Sequence, residues 1–97
     1  MTAKIAVIGG TGKEGKGLAL RWARAGYDVI IGSRDAARAA TTANELNAIL
    51  GKTDVGGLGN ADAARTADIV VLSVPYEAHA ATLDAIADAT QGKILID

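Results

Sequence analysis

The sequence predicts an α/β fold: a parallel sheet with helices on both faces. Three observations carry this expectation. Five short aliphatic runs alternate with stretches of helical periodicity along 97 residues. Repetition at that spacing builds βαβ units, whose strands lie parallel. The runs are near-continuous rather than alternating, as strands buried on both faces require. The first run passes directly into Gly9-Gly10-Thr11-Gly12-Lys13-Glu14-Gly15, a glycine-rich turn that opens a helix. Right-handed crossovers and the usual winding then give strand order 3-2-1-4-5, a doubly wound sheet of Rossmann type.

Each element has its own signal. Residues 4–8 form the first strand, an aliphatic run that starts at a lysine. Residues 13–25 follow as a helix, with Leu18, Trp22 and Ala25 on one stripe, Ala19 widening it, and Gly26 as its stop. Residues 28–32 are the second strand. A long Ala-rich helix over 35–50 comes next, capped by Asp35 or Ser33 and ended by Gly51. Its apolar face is Ala39, Ala43, Leu46 and Leu50. Residues 53–58 make a weak third strand, thinned by Gly56 and Gly57. A short helix over 61–66 leads to the strongest strand, 69–74, which Pro75 ends. A helix over 77–89 carrying Leu83, Ile86 and Ala87, a turn at Gly92 and a fifth strand over 93–97 complete the pattern.

Composition bounds the function. The chain is a single small domain, 1–97, rich in aliphatic residues and without Phe. Its net charge is −1, with acids and bases interspersed. No basic block offers a nucleic-acid footprint. The absence of cysteine excludes disulfides, a thiolate metal site and a cysteine nucleophile. No apolar run approaches the length of a membrane span, and no secretory leader is visible, so the expected location is the cytoplasm. No Ser-His-Asp set, carboxylate pair or metal-ligand cluster stands out. The final strand ends where a complete fold of this type adds a sixth strand and a substrate-binding part. The chain therefore reads as the front of a longer protein, truncated after strand five.

The glycine turn carries the first functional expectation. A helix start offers unpaired N–H groups and the positive end of the helix dipole, which suit a pyrophosphate. In the Gly-x-Gly-x-x-Gly pattern, Gly10 permits the tight turn and Gly12 allows close backbone approach. Gly15 lets the helix pack on the sheet, and Thr11 adds a hydroxyl. The competing reading is a turn that only connects strand to helix. The aliphatic strand before it, the helix after it and a second strand at the right distance favour the dinucleotide reading.

The end of the second strand chooses the cofactor. NAD-binding versions carry an acidic residue there for the ribose hydroxyls. This chain has Gly32-Ser33-Arg34, with Arg38 one helical turn further. A hydroxyl and two guanidinium groups would bind a 2′-phosphate that a carboxylate would repel. NADP(H) is expected over NAD(H). The alternative is a helix cap with solvated surface arginines, but cations at a helix start oppose the dipole.

At the exit of the fourth strand, Ser73-Val74-Pro75-Tyr76 falls beside the crevice where ligands bind in such sheets. Pro75 would stiffen the loop, and Tyr76 would pack on the ribose or nicotinamide or else sit on the surface. His79 reads as a packed or solvent-facing helix residue, because no partner for proton transfer is evident. Trp22 reads as core.

The run Ala6-Val7-Ile8-Gly9-Gly10-Thr11-Gly12-Lys13-Glu14-Gly15-Lys16-Gly17-Leu18-Ala19, followed by Ile31-Gly32-Ser33-Arg34, resembles the NADPH-dependent reductases of coenzyme F420, a deazaflavin. Asn60-Ala61-Asp62-Ala63-Ala64, Ala67-Asp68-Ile69-Val70-Val71-Leu72 and Val74-Pro75 continue the likeness. It covers nearly the whole chain but only the amino-terminal half of the family's length. The resemblance implies hydride exchange between NADP(H) and F420. It implies that Thr11, Gly12, Lys13 and Glu14 contact the pyrophosphate, and that Ser33, Arg34 and Arg38 hold the 2′-phosphate. It implies that Val74, Pro75 and Tyr76 border the nicotinamide, with a homodimer of the full-length protein left open. Relatives often carry another aromatic at the position of Tyr76. No catalytic side chain is expected, since direct hydride transfer needs alignment and exclusion of water. Two other readings stay open. One is an NADP-dependent reductase of a metal ion, an imine or a β-hydroxyacid. The other is a non-catalytic NADP-binding redox sensor.

Overall fold

The computed structural model describes residues 3–51 and 54–96, and the backbone but not the side chain of Tyr76. The chain runs β1 (Lys4–Ile8), α1 (Lys13–Arg24), β2 (Asp28–Ser33), α2 (Ala36–Leu50), β3 (Gly56–Gly59), α3 (Asn60–Thr66), β4 (Ile69–Leu72), α4 (His79–Ile86) and β5 (Ile94–Ile96). Short 3₁₀ turns at Tyr76–Ala78 and Asp88–Thr90 flank α4. The five strands form one parallel sheet in the expected order, β3-β2-β1-β4-β5.

The central strand shows why its sequence is aliphatic throughout. Ile5 and Val7 face one layer with Ala19, Ala23, Ala39, Ala43 and Leu46 of α1 and α2. Ala6 and Ile8 face the other, with Ala63, Ala64, Ile86 and Ala89. Successive strand residues point to opposite faces, so a strand covered on both sides has no polar position to spare.

Small residues set how closely the helices approach. The buried face of α1 is Gly15, Ala19 and Ala23, four residues apart. This corrects the expected stripe: Trp22 is only partly buried against the core and Ala25 is exposed. Gly15 explains the shift. A Cβ there would lie 2.8 Å from the Gly10 Cα, so the helix start seats tightly and only small residues fit underneath. On the neighbouring helix the expected face of Ala39, Ala43 and Leu46 is buried. Asp35 supplies its cap, accepting from the Ala37 N–H at 3.0 Å, and Gly51 ends it at φ +68°.

Several boundaries differ from the expectation. The described part of β3 begins at Gly56, while Thr53 lies outside the described residues. The strand is glycine-rich because α2 rests directly on it: a Cβ on Gly57 would run into the Ala39 carbonyl. Asn47 ties the entry of β3 to α2, donating to the Val55 carbonyl and accepting the Val55 N–H, both at 2.9 Å. The fourth strand stops at Leu72, two residues early, because Ser73 and Val74 turn away over Gly9. The expected helix over 77–89 is a shorter α-helix between two 3₁₀ turns, with Ala87 exposed. In β5, Ile94, Leu95 and Ile96 are exposed, and Asp97 lies outside the described residues. No described helix is long and apolar enough to cross a membrane.

Candidate functional site

The site lies where β1, β2 and β4 end, and it is built around the turn between β1 and α1. Gly9 takes φ +75°. A Cβ on it would collide with Val74 Cγ1 and come within 2.6 Å of the Ser73 carbonyl oxygen. Its N–H and that of Gly10 both donate to the Gly32 carbonyl, at 2.9 and 3.0 Å. The turn, closed by the Gly12 N–H donating to the Gly9 carbonyl at 3.3 Å, includes the expected Gly10 and makes its demand on Gly9 as well. Gly10 itself is buried, with the Val7 carbonyl 2.8 Å from where its Cβ would stand.

Beyond the bend the backbone opens. Gly12 is the N-cap of α1, is exposed, and provides no side-chain cap. The N–H groups of the first helical turn have no partner within a helix. Here they belong to Lys13, Glu14 and Gly15. A Cβ on Gly12 would have only the Gly9 carbonyl oxygen within reach, at 3.7 Å. Such a bare helix start is suited to an anionic group, with the dipole adding to the donors.

Two grooves meet at this turn. The first, about 380 Å³, is lined by Gly9, Thr11 and Gly12, by Ser33, Arg34 and Arg38, and by Asn60, Ser73, Val74 and Pro75. Ala78, Ala81, Thr82 and Ala85 close its far wall, a row of small side chains along and just before α4. The second, about 610 Å³, is lined by Gly12, Lys13, Glu14 and Gly15, by Leu18 and Trp22 of α1, and by Val71, Leu72 and Ile96. Gly12, Ser73, Val74 and Pro75 border both.

The first groove brings together residues distant in sequence. Thr11, Gly12, Ser33, Arg34, Arg38, Val74 and Pro75 all line it. Lys13, Glu14 and Gly15 fall on the second groove, and Gly10 lines neither. The Tyr76 ring lies outside the described side chains. Ser33 is buried and its Oγ accepts the Asp35 N–H at 3.2 Å, which orders the step from β2 into α2. Arg34 and Arg38 are exposed at the mouth. His79, expected as a packed or solvent-facing helix residue, is half-buried, with Nε2 3.1 Å from the Val74 carbonyl oxygen on the exit loop of β4. No group of three or more His, Cys, Asp or Glu that could hold a metal is present among the described residues.

Two residues of the site escape a motif reading. Gly9 is one. Asn60 is the other, and its available signal is a polar residue at the carboxyl end of a strand, opening the next helix.

The sheet order and the glycine turn define a Rossmann-type domain. The chain belongs to the family described as NADP oxidoreductase coenzyme F420-dependent, whose model matches residues 4–97. It is 54% identical over 99 residues to the F420-dependent NADP reductase of Methanothermobacter thermautotrophicus, covering 100% of this chain and 43% of that protein. The F420-dependent NADP reductase of Methanocaldococcus jannaschii is 42% identical, over 96% of this chain and 43% of its own length. The chain thus spans 43% of the length of these curated relatives. A solved structure from Arthrobacter sp. FB24, of a protein assigned as an F420-dependent NADP reductase, matches with TM-score 0.77 and 33% identity, over 96% of this chain and 43% of that one. A lactate dehydrogenase from a Medee basin deep-sea metagenome library matches with TM-score 0.78 at 20% identity, over 97% of this chain and 36% of its own, a likeness of fold alone.

Proposed function

We propose that this chain binds NADP(H) as part of an oxidoreductase that exchanges hydride with coenzyme F420. The observation that carries the reading is the first groove, which joins the bare helix start at Gly12 to Ser33, Arg34 and Arg38. Neither Ser33 nor Arg34 is acidic, and together with Arg38 they supply a hydroxyl and two guanidinium groups for a 2′-phosphate. The names of the relatives, F420-dependent NADP reductases, support the second partner.

The residues divide the work. Thr11, Gly12 and the first-turn N–H groups of Lys13, Glu14 and Gly15 would hold the pyrophosphate. Val74 and Pro75, on the rim shared by both grooves, would steer the nicotinamide end from the first groove into the second. Leu18, Trp22 and Ile96 give that second groove apolar walls, against which the nicotinamide end would be aligned for a transfer that needs alignment more than acid or base. When bound, the cofactor pair supplies the hydride chemistry itself. A location in the cytoplasm fits a cysteine-free chain.

Titration with the two nicotinamide cofactors tests the first half of the proposal. NADPH should bind at least about tenfold more tightly than NADH, the range of one or two charge-assisted hydrogen bonds. Equal affinities would remove the 2′-phosphate site. In the full-length protein, NADPH should change the deazaflavin absorbance of F420. A flat trace in the presence of bound NADPH would point to another acceptor.

A further inference from the structure

Among the described residues, one buried side-chain oxygen or nitrogen lacks a hydrogen-bond partner: Oδ1 of Asn60. An unmade buried bond is costly, so such an atom calls for a specific explanation. Asn60 directly follows β3 and lines the first groove. Its Oδ1 lies 3.0 Å from the place a Cβ would take on Gly32. The Gly32 carbonyl is the one that receives the Gly9 and Gly10 N–H groups, and the next residue is Ser33. The amide therefore lies against Gly32, the residue that links the glycine turn to the end of β2 at Ser33.

On the NADP(H) reading above, on which this inference rests, those two places seat the pyrophosphate and the 2′-phosphate. The group joining these anions is the adenosine ribose. With its 2′ position phosphorylated, the ribose keeps a single free hydroxyl, at 3′. We infer that Asn60 is a positioning residue whose Oδ1 accepts a hydrogen bond from that 3′-hydroxyl. Asn60 lines the groove, so a change of its side-chain rotamer would bring the oxygen to that hydroxyl. The choice of an amide follows from charge. A carboxylate would accept the same bond but would repel the phosphates on either side, whereas an amide oxygen accepts without charge.

The test is a cycle of two proteins and two ligands, read by titration calorimetry on the full chain. The ligands are adenosine 2′,5′-bisphosphate and its 3′-deoxy counterpart, and the proteins are the wild type and Asn60→Ala. Loss of the 3′-hydroxyl should weaken binding to the wild type about tenfold and leave the variant nearly indifferent. Asn60→Asp keeps the acceptor and adds charge, so it should lose more affinity for the 2′,5′-bisphosphate than for adenosine 5′-monophosphate. An equal loss in wild type and Asn60→Ala on removing the 3′-hydroxyl would overturn the inference. So would a coupling that appears with the 6-oxo (inosine) analogue instead, which would move the contact to the adenine amine. If the wild type shows no preference for the 2′,5′-bisphosphate over the 5′-monophosphate, and Arg34→Ala changes nothing, the NADP(H) reading falls as well. Retained dependence on Arg34 without coupling at Asn60 overturns this inference alone.

Discussion

The two grooves share a wall yet differ in kind. The first is polar at one end, with Ser33, Arg34, Arg38 and Asn60, and small along the other. The second has Leu18, Trp22 and Ile96 among its walls, and the exposed strand β5 stands at its edge. The first groove offers charge and hydrogen-bonding groups, which need fixed positions. The second sets apolar walls beside Lys13 and Glu14 at the helix start, and packing surface needs only apolar bulk. On the proposed reading, named polar atoms would recognise the adenosine end and packing would hold the reacting end. A single ridge, from Gly12 to the Ser73–Pro75 loop, borders both grooves.

The largest effect should come from breaking that ridge. In Gly9→Ala, the new Cβ meets Val74 and the Ser73 carbonyl, and the residue must keep φ +75°. Backbone strain of about 1–3 kcal/mol adds to the steric clash. A total loss of about 3 kcal/mol or more should lower the melting temperature by over about 10 °C. Gly12→Ala is the control, since its Cβ meets only the Gly9 carbonyl oxygen at an ordinary 3.7 Å. It should leave the melting temperature almost unchanged and weaken NADPH binding. Similar melting temperatures for the two variants would show that the bend is not the element that holds the grooves together.

The contrast between Gly9 and Gly12 also shows how much was legible beforehand. The sheet order followed from aliphatic runs and crossover rules, because a strand covered on both faces cannot hide its composition. The Ser33-Arg34 pair stands out in sequence because it departs from an acidic position of known purpose, and both residues line the first groove. The demand on Gly9 was not, since both Gly9 and Gly10 precede the same helix. What distinguishes them is the approach of Val74, a contact across 65 positions of sequence. The α1 stripe failed for a related reason: Leu18 and Trp22 fit helical periodicity, but Gly15 brings the helix start so near the sheet that only Ala19 and Ala23 fit below. Asn60 carries no chemical signal in the sequence beyond a polar residue at a strand end, and its buried oxygen without a partner is visible only in the fold.

Next in size is the loss of charge from the first groove. Arg34 is exposed at its mouth, so its removal should spare the fold. Arg34→Ala should weaken NADPH about 10- to 50-fold, as expected for losing a charge-assisted bond to a phosphate, and change NADH by less than about twofold. Parallel losses for both cofactors would erase the difference between the grooves, because they would mean that the arginine supports structure rather than the 2′-phosphate.

The smallest effect should come from the second groove and should have the opposite character. Trp22 is partly buried against the core and lines that groove. A Trp→Ala change at a fully buried site costs about 3–5 kcal/mol. Partial burial scales this down to about 1–2 kcal/mol for Trp22→Ala, because part of the ring already faces solvent. Affinity for adenosine 2′,5′-bisphosphate should not move, since that ligand reaches only the adenosine end. Affinity for complete NADPH should fall slightly, if the nicotinamide enters the second groove. Equal insensitivity of both ligands would place the nicotinamide elsewhere, and loss of bisphosphate affinity would mean that the shared ridge at Gly12 transmits the packing of α1 into the polar groove.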